Sequence, residues 1–201
     1  MIKAIVFDIG GVLIGLDLER CIHAFQDNLG FYRITELLDP CHQKGMYGEL
    51  EAGRLAPSHF RQLVLAESRP GSRPEQVDAS MSQLLAGMDL RTVSAVKELA
   101  QRYPLYLASN NNPISMPFCL KMLQDNGLGE VFQGQFISCD LKLMKPSAAF
   151  YQAVVQGIGL PAEEILFIDD SLTNVEGARA VGMQARLYIP GSDIALLLSD
   201  L

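Results

Sequence analysis

The 201 residues carry 49% apolar side chains and 19% charged ones, enough for a packed core and too apolar for disorder. A formal charge of −7 with no basic stripe excludes a nucleic-acid binder, and no apolar run approaches the ~20 residues of a membrane span. The four cysteines (Cys21, Cys41, Cys119, Cys139) form no C-x-x-C pair and read as reduced thiols of a cytoplasmic protein.

Ala4-Ile5-Val6-Phe7 is a short apolar run without polar alternation, as expected of a strand buried on both faces. It runs into Asp8, then Ile9-Gly10-Gly11. Asp8 also stops this segment from reading as a signal peptide, since it interrupts the apolar stretch and no small-residue cleavage site follows. Residues 16–29 show helical spacing, with Asp17 placed to cap the helix and Gly30 to end it. Short helices are expected at 34–38 and 41–47, and Pro57 and Pro74 fit the first turns of helices over 58–66 and 75–85. No strand signal falls between about 15 and 88, so this block reads as an all-helical cap (16–88) inserted into a core made of 1–15 and 89–201.

From residue 89 strands and helices alternate. Asp89 caps a helix, and 105–108 is a buried strand ending in Ser109-Asn110-Asn111-Asn112. A helix begun or kinked at Pro117 runs to Asn126, and 136–138 is a short strand. Lys145-Pro146 precedes a helix over 148–156. The strand 165–168 ends in Asp169-Asp170, a helix covers 172–181, and 185–189 is the last strand. This alternation predicts an α/β fold with a doubly wound parallel sheet.

Three apolar strands thus end in Asp8, in Ser109-Asn110 and in Asp169-Asp170, and in a parallel sheet such ends can share one edge. Lys145, on a loop before a helix, can reach the same place. Three neighbouring carboxylates repel one another, and a hard divalent cation such as Mg²⁺ is their natural neutraliser. A serine hydroxyl, a backbone N–H and a lysine can hold phosphate oxygens, leaving one carboxylate free to attack phosphorus.

These motifs, in this order, resemble those of the haloacid dehalogenase superfamily: Asp8-Ile9-Gly10, Ser109-Asn110, Lys145-Pro146, and Asp169-Asp170 with Asn174. Finer features resemble the bacterial α-glucose-1-phosphate phosphatases and the N-terminal phosphatase domain of some epoxide hydrolases. They are Gly10-Gly11-Val12, Asp17 with Arg20, Glu51 with Gly53, and Tyr151 after Lys145-Pro146. The resemblance implies a hydrolase of a small phosphorylated metabolite, a sugar phosphate above all, acting as monomer or homodimer. Asp8 would be the nucleophile. Mg²⁺ would be held by Asp8, the Gly10 carbonyl and Asp170, with Asp169 and Asn174 behind them. Ser109, the Asn110 backbone and Lys145 would hold the phosphoryl oxygens. Asp17, Arg20 and Glu51, together with Tyr47 and Glu49, are candidate substrate contacts.

One departure matters. The superfamily's phosphatases have an acid/base Asp two residues after the nucleophile, and here that place is Gly10. The enzyme would favour good leaving groups, or borrow an acid near the hinge such as Asp17, Glu19 or His23, or be a weak enzyme that binds a phosphate ligand. A 2-haloacid dehalogenase is the other alternative. It attacks carbon without a metal, and the acidic pair Asp169-Asp170 argues against it.

Overall fold

The computed structural model describes residues 1–39 and 43–201. Its centre is β1 (Ala4–Phe7), fully buried along its length. β1 pairs in parallel with β4 (Leu105–Ser109) on one side and β6 (Ile165–Asp169) on the other. β5 (Phe132–Ile137) and β7 (Gln184–Leu187) add the edges, giving the order β5-β4-β1-β6-β7. The doubly wound parallel sheet expected from the sequence is therefore present.

The period of two along each strand sends alternate side chains to opposite faces. Ile5, Phe7, Leu105, Leu107 and Ile168 pack with α6 (Leu90–Ala100) and α7 (Met116–Asp125). Val6, Ala108 and Phe167 pack with α9 (Ala148–Ile158) and α10 (Leu172–Ala180). Both faces being covered is why the strands carry no polar alternation.

A separate apolar cluster is built by α1 (Leu18–Leu29), α2 (Ile34–Leu37), α3 (Gly45–Glu51), α4 (Pro57–Ala66) and α5 (Pro74–Ser82). Cys21, Phe25, Tyr47, Leu50, Phe60 and Met81 lie at its middle, and Ile114 is its contact from the loop after β4. The expected caps form: Asp17 accepts from the Arg20 N–H at 2.9 Å, and Gly30 turns left-handed at φ 68°.

Some boundaries differ from expectation. A two-stranded antiparallel ribbon, β2 (Gly15–Leu16) with β3 (Leu85–Gly87), lies where no strand was expected. Strands of two and three residues carry no readable period. The helix expected to reach residue 85 stops at Ser82, because Leu85 belongs to that ribbon. β5 begins at Phe132, earlier than the expected 136, since Gln133, Gly134 and Gln135 break the apolar run of an edge strand. Of the helix expected over 41–47, residues 41 and 42 lie outside the described residues and 43–44 are not helical; Lys44 is extended, and α3 runs from Gly45 past Tyr47 to Glu51. Two further short helices, α8 (Ser138–Leu141) and α11 (Ile194–Leu197), follow β5 and β7. Among the described residues, Cys21, Cys119 and Cys139 are buried and free of disulfides, and no helix is long and apolar enough to cross a membrane.

Candidate active site

β1, β4 and β6 end at one edge of the sheet, and their terminal polar residues meet there. The Asp8 N–H still donates into the ladder, to Ile168 O at 2.9 Å. Its carboxylate then turns out of the strand: Oδ1 accepts from the Ile9 N–H at 2.7 Å, and Oδ2 lies 2.9 Å from Lys145 Nζ. Lys145 Nζ also donates to Asp169 Oδ2 at 2.6 Å and to Ala108 O at 3.2 Å, with its side chain 1% exposed. Asp169 accepts further from Asn174 Nδ2 at 3.0 Å and from the Ser171 N–H at 2.8 Å. One oxygen each from Asp8, Asp169 and Asp170 lie within 4.8 Å of one another.

This crowding has electrostatic consequences. Burial lifts the Asp8 carboxyl to about 7, with Lys145 pulling it down and Asp169 pushing it up. Burial and then Asp169 likewise raise Asp170. Burial works against the Lys145 charge, but Asp169 and Asp8 outweigh it and hold the ammonium above its usual range. Three carboxylates therefore face one lysine. The residues fit a hard divalent cation with oxygen ligands. Gly11 has φ 77°, and a Cβ there would overlap the Asp170 carboxylate, so the backbone is shaped to bring that oxygen in close. Asn174 Oδ1 is buried without a hydrogen-bond partner among the described residues.

A cavity of about 450 Å³ opens over this cluster, within the range of small-molecule sites. Asp8, Gly10, Ser109, Asn110, Lys145 and Asp170 line it from the sheet edge, and Gln43, Tyr47 and Glu51 from the helical cluster. The Asn110 side chain clamps the Lys145 backbone, donating to Lys145 O at 3.0 Å and accepting from Lys145 N at 2.9 Å. Asn112 Oδ1 accepts from the N–H groups of Ile114 and Ser115 and shapes the turn into α7. The Tyr151 hydroxyl donates to Asn174 O at 2.7 Å.

Ser138 ties the two walls together. Its hydroxyl donates to Glu51 O at 2.6 Å and accepts from the Asn111 N–H at 3.0 Å. Gly53 has φ 66°, and a Cβ there would overlap Cys139 O, so the end of α3 packs directly on α8. No sequence signal marked Ser138, since a serine after a strand is commonplace.

Other candidates lie elsewhere. Asp17 is occupied as the α1 cap, and Arg20 donates to Gln83 O at 2.9 Å and to Leu85 O, so both serve the ribbon and neither lines the cavity. Glu49 is exposed and pairs with Arg54 at 2.7 Å. Glu19 and His23 are exposed on α1 and do not line the cavity. Glu51 is different. It faces the cavity, and burial, with Asp8 adding and Lys145 opposing, lifts its carboxyl to about 8.

The family model for haloacid dehalogenase-like hydrolases matches residues 2–182. The chain is 29% identical to a D-ribitol-5-phosphate phosphatase of Bacteroides thetaiotaomicron, over 96% of this chain and 95% of that one. It is 29% identical to a sesquiterpene phosphatase of Aspergillus oryzae, covering 90% and 87%. A family enzyme from Bacteroides thetaiotaomicron, solved with magnesium and inorganic phosphate, superposes with a TM-score of 0.87 at 29% identity, covering 98% of this chain and 99% of that one.

Proposed function

The chain belongs to the haloacid dehalogenase-like hydrolase family, and from that premise we propose that it is a Mg²⁺-dependent phosphatase of small, hydroxyl-bearing phosphomonoesters, with sugar or polyol phosphates foremost. The observation that carries this reading is the meeting of Asp8, Asp169, Asp170 and Lys145 at one sheet edge beneath a cavity.

In this reading Asp8 is the nucleophile. One carboxylate oxygen attacks phosphorus in line, the bond from phosphorus to the leaving oxygen breaks, and an aspartyl-phosphate forms on Asp8. Water then attacks phosphorus and releases Asp8 and inorganic phosphate. Lys145, the Ser109 hydroxyl and the Asn110 N–H hold the phosphoryl oxygens, whose charge they match better in the transition state than water would. Lys145 has a second duty, since its ammonium favours the ionised form of Asp8 that attack requires. Asp8, the Gly10 carbonyl and Asp170 would hold Mg²⁺, which when bound neutralises the negative charge that otherwise repels a phosphate dianion. Asp169 has no place in the cavity lining. It serves by fixing Lys145, and Asn174 fixes Asp169.

Residues 16–88 act as a cap over the core, with the β2–β3 ribbon and its Arg20 clamp as the hinge. Tyr47, Gln43 and Ser115 offer hydroxyl and amide groups to a substrate's own hydroxyls. The relative acting on ribitol 5-phosphate supports this class. The buried, disulfide-free thiols suit a cytoplasmic location. The test is phosphate release from a panel of sugar, polyol and nucleotide phosphates, with Mg²⁺ and with a chelator. Turnover that survives chelation, or halide release from a 2-haloacid, would overturn the reading.

A further inference from the structure

A phosphomonoester with a poor leaving group needs a proton on the departing oxygen, and Gly10 has no side chain to give one. Besides the Asp8 and Asp170 carboxylates, Glu51 is the remaining carboxyl group lining the cavity among the described residues. It enters from α3, on the wall facing the sheet edge, where the non-phosphate part of a substrate held by Ser109 and Lys145 must lie. No hydrogen bond or ion pair engages its carboxyl group among the described residues, whereas its exposed neighbour Glu49 is held by Arg54. Its backbone is fixed. Ser138 links Glu51 O to Asn111, which follows Ser109 and Asn110 after β4, and the close approach at Gly53 seats the end of α3 on α8.

We propose that Glu51 is the catalytic acid and base of this site, supplying from the opposite wall the proton that Gly10 cannot. The proposal rests on the phosphatase reading and extends it. In the first step Asp8 forms its bond to phosphorus, the bond to the leaving oxygen breaks, and the Glu51 proton passes to that oxygen to release an alcohol. In the second step the Glu51 carboxylate takes a proton from water, the water oxygen bonds to phosphorus, and Asp8 departs. Glu51 ends protonated, as it began, and the sum is phosphomonoester plus water giving alcohol plus inorganic phosphate. Burial, with Asp8 adding and Lys145 opposing, raises this carboxyl group toward the protonated form that the first step requires.

Glu51→Gln keeps the shape and removes the proton. Its rates are compared with wild type on a simple alkyl phosphate and on 2,4-dinitrophenyl phosphate, whose leaving group needs no proton. With the alkyl ester, kcat/KM should fall by about 10² to 10⁴. With the dinitrophenyl ester, the first burst of phenol should slow by less than about tenfold, followed by slow turnover as phosphoenzyme accumulates for want of a base. Equal losses on both esters, or an alkyl rate within about threefold of wild type, would overturn the proposal and leave Glu51 a substrate contact. If Glu51→Gln does not fold, Glu51→Ala with added formate decides: recovery of alkyl turnover supports the proposal, and no recovery overturns it. A wild-type enzyme inactive on both esters would overturn the phosphatase reading and this proposal with it.

Discussion

Lys145→Met is the perturbation whose cost the structure lets one work out. Methionine keeps the stem, and with it the packing that places Nζ 5.4 Å from the Phe167 ring centroid. It removes the ammonium from between Asp8 Oδ2 at 2.9 Å and Asp169 Oδ2 at 2.6 Å, and leaves Ala108 O without its partner. Breaking a buried ion pair from one side costs about 3–5 kcal/mol, because a charge stays behind unpaired. For a chain of this size each kcal/mol is worth roughly 2–4 °C in Tm, so a fall on the order of 10 °C is expected in chelator. The sign of the pH dependence follows from Asp8. Its folded value lies near 7, above the ordinary 3.8, so the folded state binds the extra proton and stability falls as pH rises through that window. Without Lys145 the Asp8 carboxyl rises further, so the gap between wild type and variant should widen at higher pH and narrow below about pH 4. Calorimetry at several pH values checks both. A Tm within about 3 °C of wild type at pH 8 would refute the claim that the lysine compensates two buried carboxylates.

Asp8→Asn should fold and lose phosphatase turnover by several orders of magnitude, since an amide cannot attack phosphorus; phosphate release measures it. Asp170→Ala should raise the Mg²⁺ concentration needed for half-maximal activity more than Asp169→Asn, which should mainly lower Tm by loosening Lys145. The reverse order would exchange the roles assigned within the pair. Gly11→Ala should cost about 1–2 kcal/mol from the left-handed backbone alone and weaken Mg²⁺ binding as its Cβ displaces Asp170, which calorimetric Mg²⁺ titration reads directly. In chelator, wild-type stability should decline between pH 4 and pH 7, and Mg²⁺ should flatten that decline by stabilising ionised Asp8.

What was legible in the sequence was whatever one local signal determines. The buried strands were readable because both faces of a covered parallel sheet demand apolar residues, and each ends abruptly in a polar group: Asp8, Ser109, Asp169. Helix starts were readable at Asp17 and Asp89, which cap their own backbones within three residues. The β2–β3 ribbon was not. Its pairing of Gly15 with Gly87 is decided by where the chain leaves and rejoins the core, and neither strand is long enough to show a pattern.

The same distinction governs the site. Asp8, Ser109 and Asp169 could be grouped from sequence because strand ends share an edge by topology alone. The cavity's far wall obeys no such rule. Asp17, Glu19 and His23 are close to Gly10 in sequence, yet Asp17 caps α1 and the other two are exposed on that helix. Glu51 reaches the cavity through a contact spanning 87 residues, the Ser138 hydroxyl on Glu51 O, and through a backbone approach that only a glycine at position 53 permits. Neither Ser138 nor Gly53 carries chemistry itself, so no scan for reactive residues would select them. Yet together they decide which carboxyl group faces the phosphate end.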